Sequence, residues 1–362
     1  MRKKARVIAF YLPQYHPTEN NNIWWGKGFT EWTNVGKAKP LYKGHYQPKV
    51  PADLGYYDLR LTEIRYEQTK LARKAGIDGF CYYHYWFGNG RMELERPFQE
   101  VLNLNEPQFP FCLCWANESW HCKFWNMDGT FSSKLLVEQK YDDEEGHKKH
   151  FYHLLPAFKD ERYIKVNGKP LFYIYQPLAF SDISRFISLW NDLAVKNGLA
   201  GFHFVGQTPF VEKIDEIIQL GFDAVNVIKL FEFKTKIGAL ERLFLLLRRK
   251  MFSRPLVVKY SNAMKFFIGP EAQKENVYPT IIPNWDHTPR SGKGGCVLDN
   301  STPILFQKQA SEAFEMIKDK TEENKIVFLK SWNEWGEGNY MEPDLKYGHG
   351  FIDALSEIIY QE

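Results

Sequence analysis

Two glutamates three residues apart, Glu334 and Glu337, stand in the stretch Ser331-Trp332-Asn333-Glu334-Trp335-Gly336-Glu337-Gly338-Asn339-Tyr340. If the backbone there turns helically, positions i and i+3 share a face with Cβ atoms roughly 5–6 Å apart. Two carboxyl groups that close in a partly apolar site cannot both ionise freely, so their pKa values separate into one acid and one carboxylate. Cleavage of a glycosidic bond needs such a pair, and a carboxyl separation of about 5–5.5 Å fits a retaining outcome. A bare E-x-x-E is more often a pair of solvated surface charges. Here it directly follows the apolar run Lys325-Ile326-Val327-Phe328-Leu329-Lys330, which reads as a buried strand. Indoles around it offer flat apolar faces with one donor each, a natural surface for sugar rings.

The elements that must position this pair alternate along the chain. Apolar β-type runs begin at Arg6, Gly79, Pro110, Leu171, Gly201, Asp223, Thr280 and Ile326. Helical spacing separates them, over 59–74, 93–104, 142–159, 181–196, 211–220, 237–252 and 303–318, with a closing helix at 351–360. About eight units of each kind predict a single (β/α)₈ TIM-type barrel over residues 1–362. No Gly-rich phosphate turn follows the first strand, which argues against a doubly wound sheet. Residues 13–58 lack either periodicity and read as a long aromatic-rich loop after the first strand. Such a loop in a compact domain is usually functional.

In a barrel of this kind the loops leaving the strands build the active site. Polar and aromatic residues collect at those exits, and the expected substrate contacts are taken from them. They are Tyr11, Tyr15 and His16; His84 and Trp86; Trp115, Asn117 and Glu118; Gln176; Gln207; Trp285, Asp286 and Arg290; and Asn333 and Trp335. The aromatic segment adds Trp25, Glu31 and Trp32. Any one of these could simply satisfy a buried neighbour; their recurrence at nearly every exit is the argument for one pocket.

Composition narrows the function classes. Of 362 residues, 16% are aromatic, more than a core requires, which points to a carbohydrate or other flat ligand. A net charge of +3 is too small to argue for nucleic acid. The cysteines, Cys81, Cys112, Cys114, Cys122 and Cys296, are odd in number and mostly in apolar runs, so free buried thiols are expected. No metal set or cofactor motif is read. The acidic run Asp142–Glu145 opens a helix, where it caps. No run reaches the length of a membrane span and none reads as a secretion signal, which predicts a soluble cytoplasmic protein. The 237–252 helix is basic and amphipathic. Its ordinary role is an outer helix; contact with an anionic lipid surface is the alternative.

Several segments together resemble a known family: Phe10-Tyr11-Leu12-Pro13-Gln14-Tyr15-His16, Gly28-Phe29-Thr30-Glu31-Trp32, His45-Tyr46-Gln47-Pro48, Cys112-Leu113-Cys114-Trp115-Ala116-Asn117-Glu118, Trp285-Asp286-His287-Thr288-Pro289-Arg290 and Trp332-Asn333-Glu334-Trp335-Gly336-Glu337-Gly338. In combination they are similar to the WbsX-type proteins, commonly labelled glycosyltransferases of O-antigen or capsule loci. That family is in turn similar to the family 99 glycoside hydrolases, endo-α-mannosidases and mannanases on a (β/α)₈ barrel. The resemblance implies that Glu334 is the base on a sugar 2-hydroxyl, forming a 1,2-anhydro intermediate, and that Glu337 is the acid/base. Three functions compete: a retaining glycosidase or transglycosylase on an oligosaccharide or polysaccharide, a nucleotide-sugar glycosyltransferase, and a non-catalytic glycan-binding barrel. The first is expected, because no Rossmann-like nucleotide fold or Asp-x-Asp motif is read and a binding protein has no need of both glutamates.

Overall fold

The computed structural model describes residues 2–125, 131–238 and 254–360, together with Leu243, Leu247 and Met251. Eight strands run parallel: β1 (Arg6–Tyr11), β2 (Gly79–Trp86), β3 (Phe111–Trp115), β4 (Lys169–Ile174), β5 (His203–Thr208), β6 (Ala224–Val227), β7 (Val277–Ile281) and β8 (Ile326–Leu329). Each pairs with the next, and β1 closes the ring by pairing with both β2 and β8. The register places Ile8 opposite Gly79 and Phe328. In β8 all four residues, Ile-Val-Phe-Leu, are buried, the unbroken apolar run expected of a strand covered on both faces. The expected barrel is therefore the fold.

Aromatic rings pack the interior. Phe10 meets Tyr173, Phe328 and Tyr83 at centroid distances of 5.1, 5.4 and 5.6 Å, so four strands contribute to one layer at the axis. Cys81, Cys112 and Cys114 are buried free thiols.

Outside lie α1 (Thr62–Ala75), α2 (Arg96–Asn103), α3 (Glu144–Lys159), α4 (Ile183–Lys196), α5 (Ile214–Gln219), α6 (Pro303–Met316) and α7 (Gly350–Ser356). Their starts follow local chemistry: Asp143 caps α3 by accepting from Gly146 N, and Thr302 caps α6 by accepting from Leu305 N. Gly76 ends α1 in the left-handed conformation at φ 81°.

Three expectations change. Residues 13–58, expected as a loop, carry short helices over Glu19–Trp25 and Glu31–Lys37, each too short to show a period in the sequence. An antiparallel hairpin, Trp120–Trp125 with Phe131–Val137, rises between β3 and α3 where no strand was read. A parallel pair, Leu256–Lys259 with Cys296–Asp299, braces the β6 and β7 exits. Most of the expected 237–252 helix lies outside the described residues. Among the described residues, no helix is long and apolar enough to cross a membrane.

Candidate active site

The glutamate pair rides on a short tight element beyond β8. Asn333–Glu334 pairs antiparallel with Asn339–Tyr340, and a 3₁₀ turn over Trp335–Glu337 joins them. One helical turn therefore separates the glutamates, as the spacing predicts. Gly338 follows at φ 54°; a side chain there would meet Lys49 Nζ at 2.6 Å and Asp286 Cβ at 2.7 Å. The turn is anchored on all sides. Asn333 Oδ1 accepts from Leu12 N at 2.8 Å and its Nδ2 donates to Leu12 O at 3.0 Å, tying the turn to the β1 exit. Tyr15 donates its hydroxyl to Asn333 O and accepts from Trp335 N. Ser331 Oγ accepts from Glu334 N at 3.0 Å, and Asp286 N donates to Glu337 O at 2.7 Å. Beneath, the Trp335 indole stacks on Tyr340 at 3.7 Å and donates to Glu342 Oε2 at 2.6 Å.

Around the carboxyl groups the charges are ordered. Arg290 lies between two acids: Nε and Nη2 hold both oxygens of the buried Glu31 at 2.9 and 3.0 Å, and Nη1 donates to Glu337 Oε1 at 2.6 Å. Glu31 reaches it only because residue 336 is glycine; a Cβ there would sit 1.6 Å from Glu31 Oε1. His287 Nε2 is 3.6 Å from Glu337 Oε1, and Lys330 Nζ is 3.5 Å from Glu334 Oε2.

Glu334 and Glu337 also act on each other's titration. Burial, reinforced by the Glu337 charge against the pull of Lys330, pushes Glu334 up to about 8. Burial acts on Glu337 in the same sense, but Arg290, His287 and Lys330 outweigh it and hold that carboxyl well below the usual range. At neutral pH the pair therefore shares one proton, carried on Glu334. Burial lowers Lys330, and the two glutamates more than reverse this, so it stays an ammonium.

The sequence-read contacts divide sharply. Arg290 and Glu31 join the pair directly, and Trp285 lines the same mouth, with Lys330 Nζ 5.8 Å from its ring centre. Glu118 is exposed beyond β3, and its charge acts on Tyr85 and Tyr175. Trp25 is exposed and stacks on Phe29. Gln207 accepts from Tyr173, a ring of the central layer, and Gln176 is exposed at the β4 exit.

Others face away. Tyr11 donates to Gln68 of α1. His84 bonds His150 of α3 at 2.8 Å, Trp86 stacks on that same ring at 4.4 Å, and Trp115 donates to Trp86 O. These side chains lie between barrel and helices and do not line the mouth. His16 bonds Pro13 O, and Asn117 clamps the β3 exit to Gln176 through both amide groups. Asp286 is buried, held at about 2 against its burial by His45, Lys49 and Thr288, and braces the turn from below. Trp32 donates to Tyr57 O and packs on Tyr15. Tyr15, Asn333 and Trp335 are fully buried supports of the turn, and Trp335 offers no face to a ligand in this conformation.

Residues outside the expected contacts take their place. Burial and then the Glu334 charge push the Tyr83 and Tyr85 phenols well up, so both feel the pair. Lys330, a cation ending an apolar strand four residues before Glu334, and His287, inside a quoted motif, were legible signals. Glu342, alone in its segment, carried none.

The comparisons with known proteins agree with this architecture. The family model for "Glycosyltransferase WbsX" matches residues 7–355. Uncharacterized proteins WxcX from two strains of Xanthomonas campestris pv. campestris are 33% identical over 368 residues, covering 98% of this chain and 50% of theirs. The chain thus spans about half the length of the curated relatives it matches. Among solved structures, a glycoside hydrolase-like protein aligns with TM-score 0.61 at 14% identity, covering 100% of this chain and 95% of the other. The GH99 endo-alpha-mannosidase from Bacteroides thetaiotaomicron, in complex with BIS-TRIS-propane, aligns with TM-score 0.54 at 15% identity, covering 98% and 95%. At such identities the structures speak for the fold; the match over nearly the whole length does more, and the chain belongs to the WbsX family.

Proposed function

We propose that the protein is a retaining glycosidase-type enzyme, a hydrolase or transglycosylase, acting on an oligosaccharide or polysaccharide through Glu334 and Glu337. One observation carries this: Glu334 and Glu337 stand one helical turn apart at the C-terminal mouth of the barrel, with Lys330 Nζ 3.5 Å from the first and Arg290 Nη1 2.6 Å from the second. Membership of a family described as glycosyltransferases supports a glycan-acting role.

The roles implied by the resemblance run as follows. Glu334 takes the proton of the 2-hydroxyl, O2 attacks C1, and Glu337 protonates the departing oxygen as the C1–O bond breaks. Glu337 then takes a proton from water or a sugar hydroxyl, which attacks C1, and the O2–C1 bond opens with return of the proton from Glu334. The resting pair has its proton on the other carboxyl. That proton has to reach Glu337 before the leaving oxygen departs, and substrate that loosens the Arg290–Glu337 pair favours the move. Action in the cytoplasm, on lipid-linked or intracellular oligosaccharide, belongs to the same proposal; finding the native protein only in periplasm or medium refutes that part.

The test is turnover of α-mannosyl and α-glucosyl fluorides without nucleotide or metal. Wild-type turnover lost in Glu337→Gln, whose second step has no base, is the expected result. No fluoride turnover, with activity on a nucleotide-sugar panel, would establish instead the transferase that the family description favours.

A further inference from the structure

We infer that an aromatic track runs outward from the glutamate pair over the β2 exit and binds a glycan chain of at least three sugars. This rests on the reading of Glu334 and Glu337 as the reacting pair. The track begins at Tyr85, whose phenol feels both Glu334 and Arg290. Trp120, the first residue of the hairpin beyond β3, meets Tyr85 edge-to-face at 4.9 Å and is backed by Phe87 at 5.4 Å. Trp24, on the helix Glu19–Trp25, meets Trp120 at 6.0 Å.

The arrangement is braced where a binding surface needs it. Asn20 donates to Glu93 Oε1 at 2.6 Å, and Glu93 pairs in register with Tyr85, so the helix carrying Trp24 is pinned to the strand carrying Tyr85. Exposure separates these rings from core indoles. Trp115, Trp190, Trp332 and Trp335 are fully buried, whereas Tyr85, Trp120 and Trp24 are each half-buried, with one side supported and one open. Successive rings stand nearly perpendicular, 73° and 76°, so no flat ligand lies across two of them. A chain of separate rings joined by flexible linkages can use each in turn. Glu118, whose charge reaches Tyr85 and Tyr175, adds an acceptor for sugar hydroxyls along the way. Apolar faces alternating with a few fixed polar groups suit a carbohydrate. Continuity with the Glu334 mouth makes that carbohydrate the substrate's own extension.

The experiment compares α-linked monosaccharyl and trisaccharyl fluorides of mannose and glucose. Wild type is expected to prefer the trisaccharyl probe in kcat/KM. That preference should fall about tenfold in Trp24→Ala, the order expected for one lost stacking ring, and return in Trp24→Phe, which separates stacking from folding. A wild type without length preference, or a preference untouched by Trp24→Ala, overturns the track. Failure of the glutamate reading shows separately, as fluorides turned over by neither wild type nor any variant. The track is then judged by saturation-transfer NMR with α1,2-, α1,3- and α1,4-linked trisaccharides against the free monosaccharides. Trisaccharide binding weakened in Trp24→Ala sustains it, and equal or absent binding overturns it.

Discussion

Replacing Lys330 by methionine tests how the glutamate pair is poised. Lys330 Nζ lies 3.5 Å from Glu334 Oε2, with side-chain exposures of only 11% and 6%. Burial pushes Glu334 up to about 8, and Lys330 is the strongest influence pulling it back. Two unit charges at that distance interact by about 5 kcal/mol at an effective dielectric of 20. If relaxation and entering water leave a third of this, about 1.5 kcal/mol remains, or about one pKa unit. The singly protonated pair is the active form on a glycoside with a basic leaving group, so wild-type activity is expected to fall as pH rises through about 8. In Lys330→Met that basic limb should move up by about one unit, while Lys330→Arg keeps it in place. The kcat/KM profile on an aryl α-glycoside reads this, and ¹³C titration of the glutamate carboxyls reads it without catalysis. A Glu334 titration that stays put or moves down in Lys330→Met would refute the electrostatic ordering of the site.

Further substitutions probe the supports. Gly336→Ala places a methyl 1.6 Å from Glu31 Oε1, so it should expel Glu31 from Arg290, abolish activity and cost about 1–3 kcal/mol of stability; adding Glu31→Ala should recover the stability but not the activity, and calorimetry with the fluoride assay distinguishes them. Glu342 is pushed from 4.5 to about 7 by burial against three donors, Tyr57, Gln68 and Trp335; its folded-state pKa being raised, it stabilises most below the unfolded value and loses up to about 3 kcal/mol as pH climbs past 7. Thermal unfolding of Glu342→Gln should show a shallower fall in stability between pH 4.5 and 8 than wild type; an unchanged slope would remove Glu342 from that account.

Strand parity explains most of what sequence reading misassigned. In β2, Tyr83 and Tyr85 face the mouth while His84 and Trp86 face α3, because successive side chains alternate. Polar and aromatic residues near an exit were grouped without that parity, so His84, Trp86, Trp115 and Tyr11 were placed in the pocket and Tyr83 was passed over. Trp335 misled for another reason. Between two glutamates it looks like a sugar platform, but the 3₁₀ turn that aims both acids together drives the intervening indole inward onto Tyr340 and Glu342.

The barrel and its reacting pair were written locally: apolar runs of strand length, helical periods between them, and an i, i+3 carboxyl spacing directly after a buried strand. Those features depend on neighbours in the chain. The charge order of the site does not. Arg290 joins Glu31 and Glu337 from positions 259 and 47 residues away, and Tyr85 meets Trp120 and Trp24 only through the hairpin and the rim helix. Which carboxyl keeps the proton, and which indoles stay open to a ligand, are set by burial and by charges brought together through closure of the barrel, and only the tertiary structure decides them.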